Sequence, residues 1–212
     1  MFAESLTESG DPLKEIINVV RRDNIDIVFA STRKGDIGRR YFASTLSKEL
    51  LLKLPCSVVL LRIVHVGKIH PKRILVPLPG RIPNPEERAF FIAKLTEGFG
   101  SALTLFHSPR GISSFFHGEL HLPPLERERR IPGDVDKFME QLHRYRIAHD
   151  SRTGHGGVAH SIAIEALIRR NDLIVMGASE RGLLKSILYG NPVEDILRSP
   201  PCNLMIFKAS KK

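Results

Sequence analysis

The sequence predicts an α/β protein with a doubly wound parallel sheet, built as one complete unit preceded by part of a second. Three observations carry that prediction. Short apolar runs recur at a constant offset: Asp26-Ile27-Val28-Phe29-Ala30 against Asp172-Leu173-Ile174-Val175-Met176, and Pro55-Cys56-Ser57-Val58-Val59-Leu60-Leu61 against Pro201-Cys202-Asn203-Leu204-Met205-Ile206-Phe207, both 146 residues apart (172 − 26 and 201 − 55). Equal spacing with one pattern marks an internal repeat. The runs are apolar throughout rather than alternating, as strands are when helices cover both sheet faces. Stretches apolar at helical spacing separate them, and that alternation gives right-handed crossovers.

In the first copy, Leu13, Ile16, Ile17 and Val20 predict a helix ending in Arg21-Arg22, and residues 26–30 and 55–61 supply two strands. Before the second copy, Lys72 to Leu78 predicts a first strand, and Glu86 to Phe99 a helix with Phe91, Ile92, Leu95 and Phe99 as its apolar stripe. Ser101 to Phe106 predicts a second strand. Asp134 to Arg144 predicts a helix with Val135, Phe138, Met139 and Leu142 on one face, and Tyr145 to His149 a short third strand. Ile164, Leu167 and Ile168 mark the helix before Asp172, and residues 172–176 and 201–207 are the last two strands. Ser108 to Pro132, rich in glycine, proline, histidine and charge, reads as a long surface loop. The expected division is a half domain over residues 1–66 and a complete domain over 67–212. Alone, the half would leave a sheet edge and apolar helix faces uncovered, so it should dock on the complete domain or on another copy of the chain.

A hydrophobic fraction of 42% and a charged fraction of 26% are those of a folded globular chain. No run reaches the roughly 18 to 20 apolar residues of a membrane helix, and Met1 to Gly10 is not signal-like, so the expected place is the cytoplasm. Cys56 and Cys202 each follow a proline and open an apolar run, the setting of small buried hydrophobes. The net charge of +9 favours acidic partners, among them nucleotide phosphates and an anionic lipid surface. The basic residues are scattered and not interleaved with aromatics, which argues against nucleic acid.

Asp172 to Ser179, then Gly182-Leu183-Leu184-Lys185-Ser186-Ile187-Leu188-Tyr189-Gly190, then Val193-Glu194-Asp195-Ile196-Leu197-Arg198 and Pro201-Cys202, resembles the C-terminal half of a universal stress protein domain. Ile74-Leu75-Val76-Pro77-Leu78 resembles that family's first strand. The resemblance covers residues 72–208, and 12–64 more loosely as a repeat of the domain's C-terminal half. It implies a five-stranded parallel sheet in the order 3-2-1-4-5 with helices on both faces. It also implies self-association through sheet edge strands, near Leu204 to Phe207, with Val58 to Leu61 as a pseudo-symmetric counterpart. The implied ligand is ATP or another adenine nucleotide, held by an aspartate after the first strand and a loop of pattern Gly-x-x-Gly, nine residues, then Gly-Ser or Gly-Thr. Glycines let backbone N–H groups approach phosphates there, and the next helix N-terminus favours negative charge. Carried onto this chain, the site residues are Pro77 and Leu78 after the first strand, Met176, Gly177, Ser179 and Glu180 entering the loop, and Gly190, Asn191 and Val193 at its far end.

Three of the family's positions differ. Pro79 stands at the aspartate, Glu180 at the second glycine and Asn191 at the hydroxyl residue. In the first copy Ser31, Lys34, Ser44 and Thr45 occupy the loop, without either glycine. A carboxylate at Glu180 opposes polyphosphate, and the loss at Pro79 removes the residue that would hold a metal for hydrolysis. The sequence therefore predicts a degenerate nucleotide site in a non-catalytic regulatory or interaction module of the universal stress protein type. The alternative is a free-standing soluble ATP-binding stress-response protein with weak or no hydrolysis. Domains of this family also form cytoplasmic tails of transporters, and Gly177-Ala178-Ser179-Glu180-Arg181-Gly182-Leu183 resembles those, which implies a place beside a membrane transporter at the inner membrane face.

Two other groupings stand out. Gly154-His155-Gly156-Gly157 precedes a predicted helix, where amides bind anions, but a flexible entry into that helix is the better explanation. His117 and His121 flank Glu119, yet Gly118 and Pro123-Pro124 oppose the helix that would pair them on a metal, so no metal is expected. No serine sits in a nucleophile elbow and neither cysteine opens a helix, so no enzyme is predicted.

Overall fold

The computed structural model describes residues 3–31, 45–65, 70–78, 82, 84–107, 133–154, 158–178, 196 and 199–210. Helix α1 (Pro12–Arg22) starts at Asp11, whose carboxylate accepts the Lys14 amide at 2.9 Å, with proline at the first helical position. Strand β1 (Ile27–Ser31), helix α2 (Thr45–Lys53) and strand β2 (Ser57–Arg62) complete the first copy. There follow β3 (Arg73–Leu78), α3 (Pro85–Phe99), β4 (Ala102–His107), α4 (Gly133–Arg144), β5 (His149–Thr153), α5 (Val158–Ile168), β6 (Leu173–Ala178) and β7 (Asn203–Lys208).

All seven strands form one sheet in the order β1-β2-β7-β6-β3-β4-β5. The expected α/β fold with a parallel-dominated sheet stands, and the sheet has seven strands rather than five because the two strands of the first copy join it. The last five strands lie in the order β7-β6-β3-β4-β5, and the two strands of the first copy extend their β7 edge. Every pairing is parallel except β2 with β7, which is antiparallel with Val58 opposite Lys208 and Arg62 opposite Leu204. Val58 to Leu61 thus meet β7 inside one chain. At the centre of the ladder Leu60 faces Ile206, its own counterpart at the repeat offset (206 − 60), so a local two-fold axis passes between them. The physical reason for one sheet is that β2 and β7 would each otherwise leave a strand edge unpaired.

Helices cover the two faces unequally. On one face α1, α2 and α5 close over Val58, Leu60, Leu75, Ile174, Leu204 and Ile206. On the other, α3 and α4 cover Ile74, Val76, Leu103, Val175, Met205 and Phe207. Among the described residues the first copy has no counterpart of α3 or α4, and Phe29 of β1 is 55% exposed.

Short polar links tie the copies together. Ser57 at the start of β2 donates its hydroxyl to Glu87 of α3, which also accepts from the Ser210 amide at 3.2 Å. Buried Lys208 donates to the Leu54 carbonyl at 2.9 Å. Asp172, the aspartate that enters β6, accepts the amides of Lys72 and Arg73 at 3.0 and 3.1 Å and so fixes the start of β3. Both cysteines are buried, and burial pushes the Cys56 thiol above its ordinary pKa.

Two elements depart from the sequence reading. The third strand is His149–Thr153, not Tyr145 to His149, because Tyr145 and Arg146 form a turn in which Arg146 is left-handed (φ 57°). The buried face of α3 is Arg88, Ala89, Ile92, Ala93 and Thr96, while Phe99 is 38% exposed, so the helix is rotated away from the aromatic stripe. Phe91 still reaches the core by stacking on Phe207 with ring centroids 4.2 Å apart. Residues 108–132, expected as a loop, lie outside the described residues.

Candidate functional site

The crevice of interest follows from the way β3 meets β6. These strands pair only at Ile74 with Leu173 and Leu75 with Ile174, whereas β3 pairs with β4 along its full length. Beyond Leu75 the two central strands part. Pro77 sits in the parted stretch and has no N–H to offer a ladder. Because β3 and β6 are also where the chain order reverses, the opening is the topological switch point of the sheet, at the carboxyl ends of its strands.

Val76, Pro77, Leu78, Met176, Gly177 and Phe207 line the crevice from the sheet, and Ile92 of α3 and Phe138 of α4 close it from the helix layer. The empty space there, open solvent included, is about 320 Å³. Among the described residues the single charged side chain in the lining is Arg88, on the first turn of α3 and only 6% exposed. Its Nη2 donates to the Ala178 carbonyl at 2.6 Å, and among the described residues its Nε has no acceptor. Burial pushes the guanidinium pKa down to about 10, against a smaller upward pull from Glu87.

Gly177 is explained by the same side chain. A Cβ built there would collide with Nη1 of Arg88, so no larger residue fits without moving the arginine. The glycine leaves room for a guanidinium against the end of β6.

Of the site residues named from the sequence, Pro77, Leu78, Met176 and Gly177 come together in this crevice. Ser179, Glu180, Gly190, Asn191 and Val193, like Pro79, lie outside the described residues. So do Ser44, Lys34, His117, Glu119 and His121. Gly154 is described: a Cβ there would collide with the Phe106 ring, which gives it a packing role, while residues 155–157 lie outside the described set.

Sequence reasoning missed Arg88, because Glu86-Glu87-Arg88 reads as the charged, solvated start of a helix. The signal was its spacing. Arg88, Ile92 and Thr96 recur every fourth residue, which puts the arginine on the stripe that the helix buries. No group of three or more histidine, cysteine or acidic side chains able to hold a metal occurs among the described residues.

Comparison with known proteins agrees with this architecture. No curated protein matches the chain. Among solved structures, a universal stress protein from Archaeoglobus fulgidus DSM 4304 superposes with a TM-score of 0.60 at 19% identity, over 95% of this chain and 66% of the other. A putative universal stress protein from Pseudomonas aeruginosa UCBPP-PA14 does so with a TM-score of 0.58 at 16% identity, over 94% of this chain and 69% of the other. A functionally unknown protein from Pseudomonas aeruginosa PAO1 gives 0.56 at 14% identity, over 95% and 69%. At such identities the likeness is one of fold, and the chain spans 66% of the length of the archaeal structure. The description of the universal stress protein family matches residues 71–208, from the approach to β3 to the end of β7. With the crevice at its switch point and that match through five consecutive strands, the chain belongs to the universal stress protein family.

Proposed function

We propose that this chain is a non-catalytic regulatory or interaction module whose nucleotide site is degenerate. The observation that carries the reading is Arg88. Its guanidinium lies against Gly177 and engages the Ala178 carbonyl, the stretch of β6 that a bound polyphosphate would need to approach. A side chain there excludes the close backbone contact for which the family's glycine is suited. Glu180 and Pro79, read from the sequence, point the same way.

Isothermal titration with ATP and other adenine nucleotides tests it. The expected outcome is no saturable heat at micromolar concentrations, with or without magnesium. Micromolar affinity would overturn the reading and favour an ATP-binding stress-response protein.

The partner side of the proposal is a module held beside a membrane transporter or at an anionic inner leaflet. A net charge of +9 supports it, and no helix among the described residues is long and apolar enough to cross a membrane. Retention on anionic but not neutral vesicles is the outcome this reading predicts.

A further inference from the structure

The amino ends of the central strands form a rim at the far end of the sheet from the switch-point crevice. Three turns meet there, α3 into β4, α4 into β5 and α5 into β6, all of them within the described residues. Asp172 holds the Lys72 and Arg73 amides beside the α5 turn, and the Lys72 carbonyl accepts the Ala102 amide at 2.8 Å beside the α3 turn. The start of β3 therefore belongs to the same rim.

Each turn is closed by one left-handed residue. After α3 it is Gly100 (φ 59°), the residue that such a cap favours. After α4 and α5 it is Arg146 (φ 57°) and Arg170 (φ 51°), whose amides donate to the His143 and Leu167 carbonyls at 2.8 and 3.0 Å. A long side chain in this conformation is strained, and the same strained choice in two turns calls for a reason outside the turn. Both arginines are exposed, as are Lys72 and Arg73. Acidic residues near these helix ends are engaged, Glu97 with Lys94 and Glu140 with Arg144 at 2.8 Å and Glu165 with Arg169 at 3.5 Å.

Apolar side chains stand among the cations. Leu167 is 61% and Ile168 69% exposed, and Tyr145 and Phe99 are exposed beside them. The repeat supplies a control. Helix α1 matches α5 at the offset of 146 (158 − 12 and 168 − 22), and where α5 carries Leu167, Ile168 and the cap residue Arg170, α1 carries Arg21, Arg22 and left-handed Asn24. The fold requires neither the apolar pair nor the arginine.

We infer that this rim docks on an anionic lipid leaflet, Leu167, Ile168, Tyr145 and Phe99 entering the headgroup boundary while Arg146, Arg170, Lys72 and Arg73 meet the charged headgroups. Apolar tips interspersed with cations match a surface that is anionic above and apolar below, and tyrosine suits that boundary. A second copy of the chain fits worse, because pairing two such rims brings like charges together. Docked in this way, the crevice beside Arg88 faces away from the bilayer.

The inference rests on the reading that the chain sits at an anionic leaflet, and adds the face by which it does so. Net charge alone attracts the molecule without fixing its orientation. The test is co-sedimentation of the full chain with vesicles of phosphatidylcholine and phosphatidylserine in equal parts, against phosphatidylcholine alone. Leu167→Gln with Ile168→Gln leaves the charge unchanged and should weaken binding at least about tenfold. Arg146→Gly with Arg170→Gly should weaken it about fivefold for each arginine, without lowering the thermal midpoint, because glycine suits both turns. Arg21→Gln with Arg22→Gln removes the same charge at the opposite end of the sheet, since β1 and β2 run against β7, and should leave binding within about twofold of wild type.

Circular dichroism confirms that each variant is folded. Undiminished binding in either rim variant, or an equal loss in the Arg21 and Arg22 variant, overturns the inference while the leaflet reading stands. A wild-type chain that phosphatidylserine does not retain removes both. Sedimentation of the free chain runs alongside, and a dimer that Leu167→Gln with Ile168→Gln abolishes would assign the rim to a second copy and overturn lipid docking.

Discussion

At the scale of the residue, the chemistry of the site turns on Arg88 and the glycine opposite it. A buried cation whose partner among the described residues is one carbonyl burdens the native state, and replacing it by an apolar side chain of similar length should relieve that burden. Arg88→Met is expected to raise stability by about 1–3 kcal/mol in urea unfolding. The pH dependence has a definite sign. With burial holding the folded pKa down to about 10, the unfolded chain binds more protons at this position above that pH, so wild-type stability gains there as pH rises. Below that window the penalty is constant. The gap between variant and wild type should therefore hold steady from about pH 6 to about pH 9 and narrow only above 10. A variant less stable than wild type across that range would show that the bond to Ala178 outweighs the burial cost. Pro77, Leu78, Met176 and Gly177 were legible in the sequence because they sit on strands whose apolar runs locate them. Their partner was not, since a local reading weighs Arg88 by its charged neighbours rather than by the face it occupies.

At the scale of the element, the two outer strands differ in kind. β5 reads His149-Asp150-Ser151-Arg152-Thr153, mostly exposed, with Asp150 and Arg152 3.8 Å apart, and such charge guards an edge against pairing. That polarity is also why the strand was misplaced: its residues carry no apolar run, and Tyr145 and Ile147 drew the reading four residues early. β1 reads Ile27-Val28-Phe29-Ala30-Ser31, without charge, and displays Phe29 to solvent. With β7 occupied by β2, we propose β1 as the edge through which copies of the chain would associate. Sedimentation at rising protein concentration should detect it, and Phe29→Lys should shift the population to monomer by placing a charge on the edge strand. Equal average masses for variant and wild type would remove β1 as the contact.

At the scale of the whole molecule, the excess of basic residues acts as a field rather than a site. Each Lys or Arg near an anionic surface contributes on the order of 1 kcal/mol at most, and the attraction decays within a Debye length of about 10 Å at 0.1 M salt. Co-sedimentation with vesicles containing phosphatidylserine should hold the chain at low salt and release it as ionic strength rises. Binding that ignores salt, or that equals binding to neutral vesicles, would sink the membrane reading. The repeat itself was legible, because equal offsets between apolar runs survive without identity. The merger of both copies into one sheet was not, because pairing between residues 146 apart, as at Leu60 and Ile206, leaves no trace in local periodicity.

The axis between Leu60 and Ile206 has a thermodynamic consequence. Two repeats facing each other across such an axis on separate chains would form a contact governed by mass action, lost on dilution. Joined in one chain, the same contact is unimolecular: its effective concentration is set by the connecting polypeptide, not by how much protein the cell makes. Amide protection along β2 and β7 should accordingly be the same at nanomolar and millimolar protein. Any sensor built on this seam would respond to ligand and not to its own abundance.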